Sequence, residues 1–378
     1  MKVALLTDCY LPRLGGIEVQ THDLAAQLQQ RGHEVEVFTA TQGEHGERHG
    51  FVEDVDGVRV HRMAVRLPWQ LPVNPLAPPQ VRRRLADGGF HVAHVHMGVV
   101  SPFATDLAGV ALGLGMPTAI TWHCLMEHSR PVFRVLGHAR RWGQRGAALS
   151  AVSAVAAAAV QQVVGTGTGA PEVRVFPNGI DAGLWSPPEG RRARDDAAPV
   201  RVVAAMRLAA RKRPTAVLDI AERARAAVPA EVAMRLDLFG EGPERDRLER
   251  RVAQGGLDWV HLPGRVTRAQ LREAYWDADV YLTPVRLEAF GIAALEARTA
   301  GLSVLARSGS GVGDFIEDGV NGFLGSDDDA LAVALARLVR DHALRRRIAT
   351  ENATVPPAQT WPAVAAVAEE EYRRAGAS

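Results

Sequence analysis

The segment VALLTDCYLPRLGGIEVQTHDLAAQLQQRGHEVEVFTA, residues 3–40, decides the fold. Val3–Thr7 is a short apolar run without polar alternation, the pattern of a strand covered on both faces. From Glu18 to Arg31 the apolar side chains Val19, Leu24, Ala25 and Leu28 share one side, which predicts a helix, and Gly32 supplies its stop signal. Glu34–Ala40 reads as the next strand. The same alternation continues outward. Val58–Arg62, Val92–His96, Pro117–Thr121, Leu149–Val152 and Val173–Phe176 are strand candidates, and Pro177-Asn178-Gly179 closes the last with turn chemistry. Strands alternating with helices predict a parallel sheet covered on both faces.

The chain has 378 residues, enough for two domains, and 47% of them are hydrophobic. Ser186 to Pro199 is rich in Pro, Arg and Asp and reads as a linker or surface loop. Beyond it the alternation restarts, with strands expected at Val200–Ala205, Arg235–Phe239, Trp259–Pro263, Val280–Pro284 and Ser303–Ala306. The prediction is α/β with two Rossmann-like, doubly wound domains facing across a cleft. Ligands would sit at the carboxyl ends of the strands. Trp361 to Ala375 carries the pattern of an amphipathic helix.

A formal net charge of +1 gives no sign of a nucleic-acid partner. Cys9 and Cys124 form neither a disulfide framework nor a metal-ligand spacing, and fit a reducing cytoplasm. No signal segment and no apolar run of about twenty residues is visible, so neither export nor a membrane span is expected.

Four segments could carry chemistry. Gly15-Gly16-Ile17-Glu18 joins a strand to a helix; it is either a tight turn or a place where backbone and helix amides approach a phosphate. Arg207, with Lys212 five residues on, follows a strand and suits a diphosphate, although in isolation the segment reads as a solvated loop. Glu288 and Glu296 bracket Phe290, Gly291 and Ile292 around a helix start. Glu296 lies about 9 Å along the axis from Phe290 at the rise of an α-helix. The two carboxylates are therefore spaced to hold two ends of one elongated ligand, with the helix amino end facing its diphosphate. The apolar run around Glu296 argues against plain exposure. His94, His96 and His123 fall at strand carboxyl ends. His94 and His96 without a carboxylate make a poor metal site, and His123 is the functional candidate of the three. Asp327-Asp328-Asp329 resembles a metal motif but opens a helix, where acidic capping explains it.

Together these segments resemble a family 4 retaining glycosyltransferase of the GT-B architecture. Also carrying the resemblance are Ala151-Val152-Ser153, Phe176-Pro177-Asn178-Gly179-Ile180-Asp181 and Gly240-Glu241-Gly242-Pro243. The family includes bacterial mannosyl, glucosyl and N-acetylglucosaminyl transferases. The resemblance implies an acceptor-side domain over 1–182, a donor-binding domain over 183–360, and a last helix, 361–378, returning to the first. It implies a UDP- or GDP-linked sugar as substrate, no cofactor and no metal. Gly15 and Gly16 would approach the phosphates, and Arg207 and Lys212 would neutralise them. Glu296 would hold the ribose and Glu288 the transferred sugar, with amides near Phe290, Gly291 and Ile292 completing the phosphate site. The base would lie near Arg265-Val266-Thr267. His123 would stand beside the reacting carbon, and Glu18 with it on the acceptor side. The acceptor would be a lipid, a glycan or a small molecule.

Three departures stand out: Met206 and Arg213 where the family has Gly, and Ser310-Gly311-Val312-Gly313-Asp314 where it has Gly-Gly-x-Pro-Glu. Arg82, Arg83 and Arg84, and the acid-free stretch His128–Pro171 with Arg130, Arg134, Arg140, Arg141 and Arg145, read equally as a solvated face or as a dock for anionic lipid. The expected location is cytoplasmic, free or peripheral on the inner face of the plasma membrane. A nucleotide-sugar 2-epimerase and a non-catalytic nucleotide-sugar binding protein are the competing functions. A dehydrogenase is weaker, because Gly15-Gly16 lacks the third glycine of the dinucleotide fingerprint.

Overall fold

The computed structural model describes residues 1–13, 15–48, 50–65, 72–126, 130–188 and 198–378, with the backbone alone at 130–132. Leu14, His128, the Arg130 side chain and residues 189–197 of the expected linker lie outside the described residues. The described chain divides into two compact units, Met1–Gly179 with Gln359–Ser378, and Ile180–Ala358.

The first unit runs β1 (Lys2–Thr7), α1 (Gly16–Gln30), β2 (Glu34–Thr39), β3 (Phe51–Val55), β4 (Val58–Arg62), α2 (Pro78–Asp87), β5 (Val92–Met97), α3 (Pro102–Gly113), β6 (Thr118–Trp122), α4 (Arg130–Leu136), α5 (His138–Gln144), β7 (Ala148–Ala151), α6 (Ala154–Val164) and β8 (Val173–Val175). Its sheet has the order β3-β4-β2-β1-β5-β6-β7-β8. All neighbours are parallel except β3 with β4. β1 pairs on both sides, Val3 facing Val35 and Val92, so Val3–Leu6 is fully buried as its apolar run requires. The chain turns both ways from β1, which puts the topological switch between β1 and β5. β3 was not expected. Its FVEDV sequence has two acidic residues in five and is largely exposed at the sheet edge, so it lacks the apolar signal of a covered strand.

The second unit runs α7 (Ala182–Trp185), β9 (Val200–Ala205), α8 (Pro214–Ala226), β10 (Met234–Phe239), α9 (Arg245–Gly255), β11 (Val260–Gly264), α10 (Arg268–Trp276), β12 (Val280–Thr283), α11 (Ile292–Thr299), β13 (Ser303–Arg307), β14 (Gly322–Gly325), α12 (Asp328–Arg340) and α13 (His342–Thr354). Its sheet, β11-β10-β9-β12-β13-β14, is parallel throughout. The switch lies between β9 and β12. Val202, Leu236, Val280, Leu282, Leu305, Leu331 and Leu335 are buried in one core. β14 also escaped the sequence reading, because GFLG carries two glycines and only two apolar residues.

The last helix, α14 (Trp361–Arg374), belongs to the first unit. Trp361, Val364, Ala368 and Tyr372 join the core of Val3, Leu5, Leu24 and Leu28. Gly179 lies flat against the Trp361 ring, where any Cβ would collide. The Gln20 amide brackets the same glycine, donating to its carbonyl at 3.0 Å and accepting from its N–H at 2.8 Å. Asp181 caps α7 by accepting from the Leu184 N–H at 2.9 Å. The Asn-Gly-Ile-Asp segment is thus explained at the level of packing.

Candidate functional site

Four loops leave the carboxyl ends of β9, β11, β12 and β13 in the second unit; Arg207, Lys212, Val266, Glu288, Phe290 and Gly291 lie on them, and Ile292 and Glu296 on α11, which follows the β12 loop. The loop after β9 is held from beneath by Gly240-Glu241-Gly242. Met206 N–H donates to Phe239 O at 3.1 Å, Leu208 N–H to Glu241 O at 2.9 Å, and Glu244 N–H to Leu208 O at 2.9 Å. Gly240 and Gly242 have φ of +127° and +154°, and a Cβ on either would strike the carbonyl of Met206 or Leu208. Only glycine lets this backbone come so close. The result is a fixed loop from which Arg207 extends into solvent and Lys212 is half-buried.

Lys212 Nζ meets Glu288 Oε2 at 2.6 Å, with side chains 26% and 20% exposed. The two residues are 76 positions apart, on the loops after the adjacent strands β9 and β12. Gly291, at φ +95°, ends the Glu288 loop and opens α11 with no side-chain cap. The Ala294 N–H donates to the Gly291 carbonyl at 3.0 Å, and without a capping side chain the Ile292 and Ala293 N–H groups remain available to an anion. Gly311 N–H donates to Glu288 O at 2.8 Å, and a Cβ at Gly311 would run into the Ala289 carbonyl. Phe290 is buried against Phe315, with ring centroids 5.4 Å apart. Glu296 is buried at 8% exposure, and Arg268 Nη2 stands 3.6 Å from its Oε1. Val266 is half-buried in the loop after β11, where Thr267 and Gln270 form the capping box of α10. The structure therefore brings Lys212, Glu288, Phe290 and Gly291 together, with Arg207, Val266 and Glu296 at the same sheet edge.

Arg213 went unread as anything but a departure. It adopts φ +57°, the left-handed region that explains the family's glycine there. Its guanidinium grips Asp328 with both arms, at 2.9 and 2.6 Å, and also donates to the Pro284 carbonyl at 2.9 Å. The pair holds the Asp328 carboxyl below its usual range. Asp327 caps α12 by accepting from the Ala330 N–H at 2.8 Å. The acidic triplet is thus used in capping and pairing. Among the described residues no cluster of three metal-ligating side chains occurs.

In the first unit the glycine segment caps α1 through Gly15 in extended conformation, and Glu18 folds back over it. Burial raises the Glu18 carboxyl, and Arg13 Nε lies 3.4 Å away. Asp8, at the end of β1, accepts from the Phe103 N–H at 3.1 Å, and burial pushes it up to about 6. His123 follows β6. Burial lowers it to about 4, and its ring contacts His96 and Asn178. Asp8 had no local sequence signal beyond its place at a strand end, and neither the turn at Asn178 nor the strand-end place of His96 announced a contact with His123. Arg84 is not a free member of the basic patch. It turns inward onto His61 and the Gly50 carbonyl, while Arg82 and Arg83 remain exposed.

Two doubly wound α/β units, one with cationic and acidic loops at the switch of its sheet, define a glycosyltransferase of the GT-B architecture. Residues 14–184 match the model described as Glycosyltransferase Family 4, and residues 194–354 that described as Glycosyl transferases group 1. The chain belongs to the family 4 glycosyltransferases. It is 28% identical to a D-inositol 3-phosphate glycosyltransferase of Pseudarthrobacter chlorophenolicus, over 96% of this chain and 90% of that one. It is 28% identical to a GDP-mannose-dependent alpha-mannosyltransferase of Mycolicibacterium smegmatis, over 96% and 95%. Anabaena HepE in complex with UDP superposes with a TM-score of 0.74 at 20% identity, over 98% of this chain and 99% of that one.

Proposed function

We propose that this glycosyltransferase moves a hexosyl unit from a UDP- or GDP-linked sugar to an acceptor hydroxyl with retention of configuration. The supporting observation is the Lys212–Glu288 contact beside the uncapped amino end of α11. In this reading Arg207, Lys212 and the amides at Phe290, Gly291 and Ile292 take the charge that develops on the diphosphate as the C1–O bond breaks. Preorganised donors of this kind are usually the largest catalytic contribution. Glu296 holds the ribose, Val266 lines the base, and Glu288 holds the sugar while keeping Lys212 aimed. Gly15 and Gly16 approach the phosphates from the first unit, with Glu18 and His123 on the acceptor side. The acceptor hydroxyl attacks on the face the diphosphate leaves, and the diphosphate takes its proton. The cationic side chains stand where a metal would otherwise act, so the reaction runs without one.

The test is a panel of UDP-glucose, UDP-N-acetylglucosamine and GDP-mannose against inositol phosphate, phosphatidylinositol and simple glycosides. Acceptor-dependent release of nucleoside diphosphate with an α-linked product, undiminished by a chelator, is the expected result. Release without acceptor, or an epimerised sugar, rejects it. Lys212→Ala should lose about 10²-fold in kcat, the scale for removing one such donor, while melting like the parent. Wild-type turnover in that variant would take Lys212 out of the site.

The finer location is part of the same proposal: cytoplasmic, and peripheral on an anionic membrane through Arg82 and Arg83. No described helix is long and apolar enough to cross a membrane. Vesicles containing phosphatidylserine should pull the protein down at low salt, and Arg82→Glu with Arg83→Glu should abolish this. Sedimentation unchanged by that charge reversal rejects the surface.

A further inference from the structure

β5 carries His94 and His96, and His123 follows β6, the three rings forming a row. His94 and His96 have centroids 4.2 Å apart, and His96 and His123 5.2 Å. Two separate hydrogen-bond chains run through them. The first links Ser150 Oγ to Thr121 Oγ1 at 2.8 Å, Thr121 Oγ1 to His94 Nε2 at 2.8 Å, and His94 Nδ1 to the Tyr372 hydroxyl at 3.1 Å. His94 is thereby fixed as a support, tied to the last helix.

The second chain holds His123. Its Nε2 lies 2.9 Å from His96 Nδ1, its ring is hydrogen-bonded to the Asn178 side chain, and its backbone N–H donates to the Met97 carbonyl at 2.8 Å. His96 Nε2 is buried with no partner at all. A neutral imidazole donates from one nitrogen and accepts at the other. If the His96 proton sat on Nε2, it would be a buried N–H without an acceptor. Folded proteins tolerate an under-used acceptor better than an orphaned N–H. The proton therefore belongs on Nδ1, pointing at His123.

We infer that His96 is a positioning residue: its Nδ1–H donates to His123 Nε2, which fixes the His123 proton on Nδ1. His123 then meets the substrates as a rigid, neutral ring that carries no proton in the reaction. This rests on the proposed place of His123 beside the reacting carbon, but the bond direction can be measured without any donor. Burial keeps His96 and His123 well below the usual histidine range, in keeping with two neutral rings.

The experiment is long-range ¹H–¹⁵N correlation on histidine-labelled full-length protein, assigned through single His→Gln variants. The expected spectrum has pyridine-type Nε2 and protonated Nδ1 in both His96 and His123. A protonated Nε2 on His123 overturns the inference. Turnover supplies the second arm. His96→Leu removes the donor and should lose about 10²-fold in kcat with donor KM little changed, the scale of a misplaced reacting-site group. His96→Asn carries an amide nitrogen where Nδ1 stood and should recover most of the loss. Full activity in a folded His96→Leu variant overturns the inference. A parent inactive toward every donor would count against the glycosyl-transfer reading alone, and the nitrogen assignment would still decide this one.

Discussion

At Gly311 a single missing Cβ governs the geometry of the donor loop. Its N–H holds the Glu288 carbonyl at 2.8 Å, and the Ala289 carbonyl and Phe290 Cα occupy the place a side chain would need. Gly311→Ala leaves φ permitted and forces the Glu288–Phe290 segment outward instead. Overpacking of this kind costs about 1–3 kcal/mol. The segment displaced carries the partner of Lys212, so activity should fall by about 10²-fold, more than the stability loss accounts for. Urea melts together with initial rates on the same preparation check this, and unchanged rates would detach Gly311 from the site. Arg213 shows how a position can be misjudged from sequence. Its left-handed backbone costs about 1–2 kcal/mol for a residue other than glycine. The two-armed grip on Asp328 across 115 residues offsets it, and no local pattern announces that partner.

Elements were legible where burial imposes a period and opaque where it does not. Val200–Ala205 emerges with the bounds its apolar run implied, because both faces of a central strand must be covered. β3 and β14 were missed for the opposite reason: one is acidic and exposed, the other half glycine. The loops after β9 and β12 were marked by residue type, but their contact depends on strand order, which periodicity does not encode. The histidine row of β5 and β6 has an energetic consequence at this scale. Burial lowers His94 to about 3, His123 to about 4, and His96 well below its ordinary 6.5. Each is neutral when folded and protonated when unfolded, so the unfolded chain gains protons first as pH drops. Stability is complete above pH 6.5 and is lost as pH falls towards 4. Asp8, raised to about 6, acts in the opposite sense over the same interval, since its folded carboxyl keeps a proton the unfolded one has released. One fully titrating group changes stability by about 1.4 kcal/mol per pH unit. The three rings together outweigh Asp8, so stability falls as the pH drops below 6. Urea midpoints at pH 6.5, 5.5 and 4.5 should fall in that order, and a flat series would mean the three rings are not buried neutral.

For the whole chain, the two units differ in what each needs from the other end of the sequence. The second core draws on residues between Val200 and Ile348, a continuous stretch. The first is completed only by α14, which brings Trp361, Val364, Ala368 and Tyr372 from the far terminus. Tyr372 also supplies the hydroxyl bound to His94. A fragment of residues 180–358 should therefore fold alone, while residues 1–179 would expose the face that α14 covers and leave His94 Nδ1 without its partner. Removing a buried Trp and a buried Tyr costs about 3–5 kcal/mol for each aromatic, which is comparable to the stability of a whole domain. The 1–179 fragment is expected to lack a cooperative thermal transition, and adding a peptide of residues 359–378 should restore one. Because Arg207, Lys212 and the start of α11 all lie within 180–358, that fragment should also be stabilised by UDP or GDP, by about 2.7 kcal/mol at a hundred times the Kd. A 180–358 fragment that melts cooperatively yet responds to neither nucleotide would place the diphosphate site somewhere other than the loops of β9 and β12.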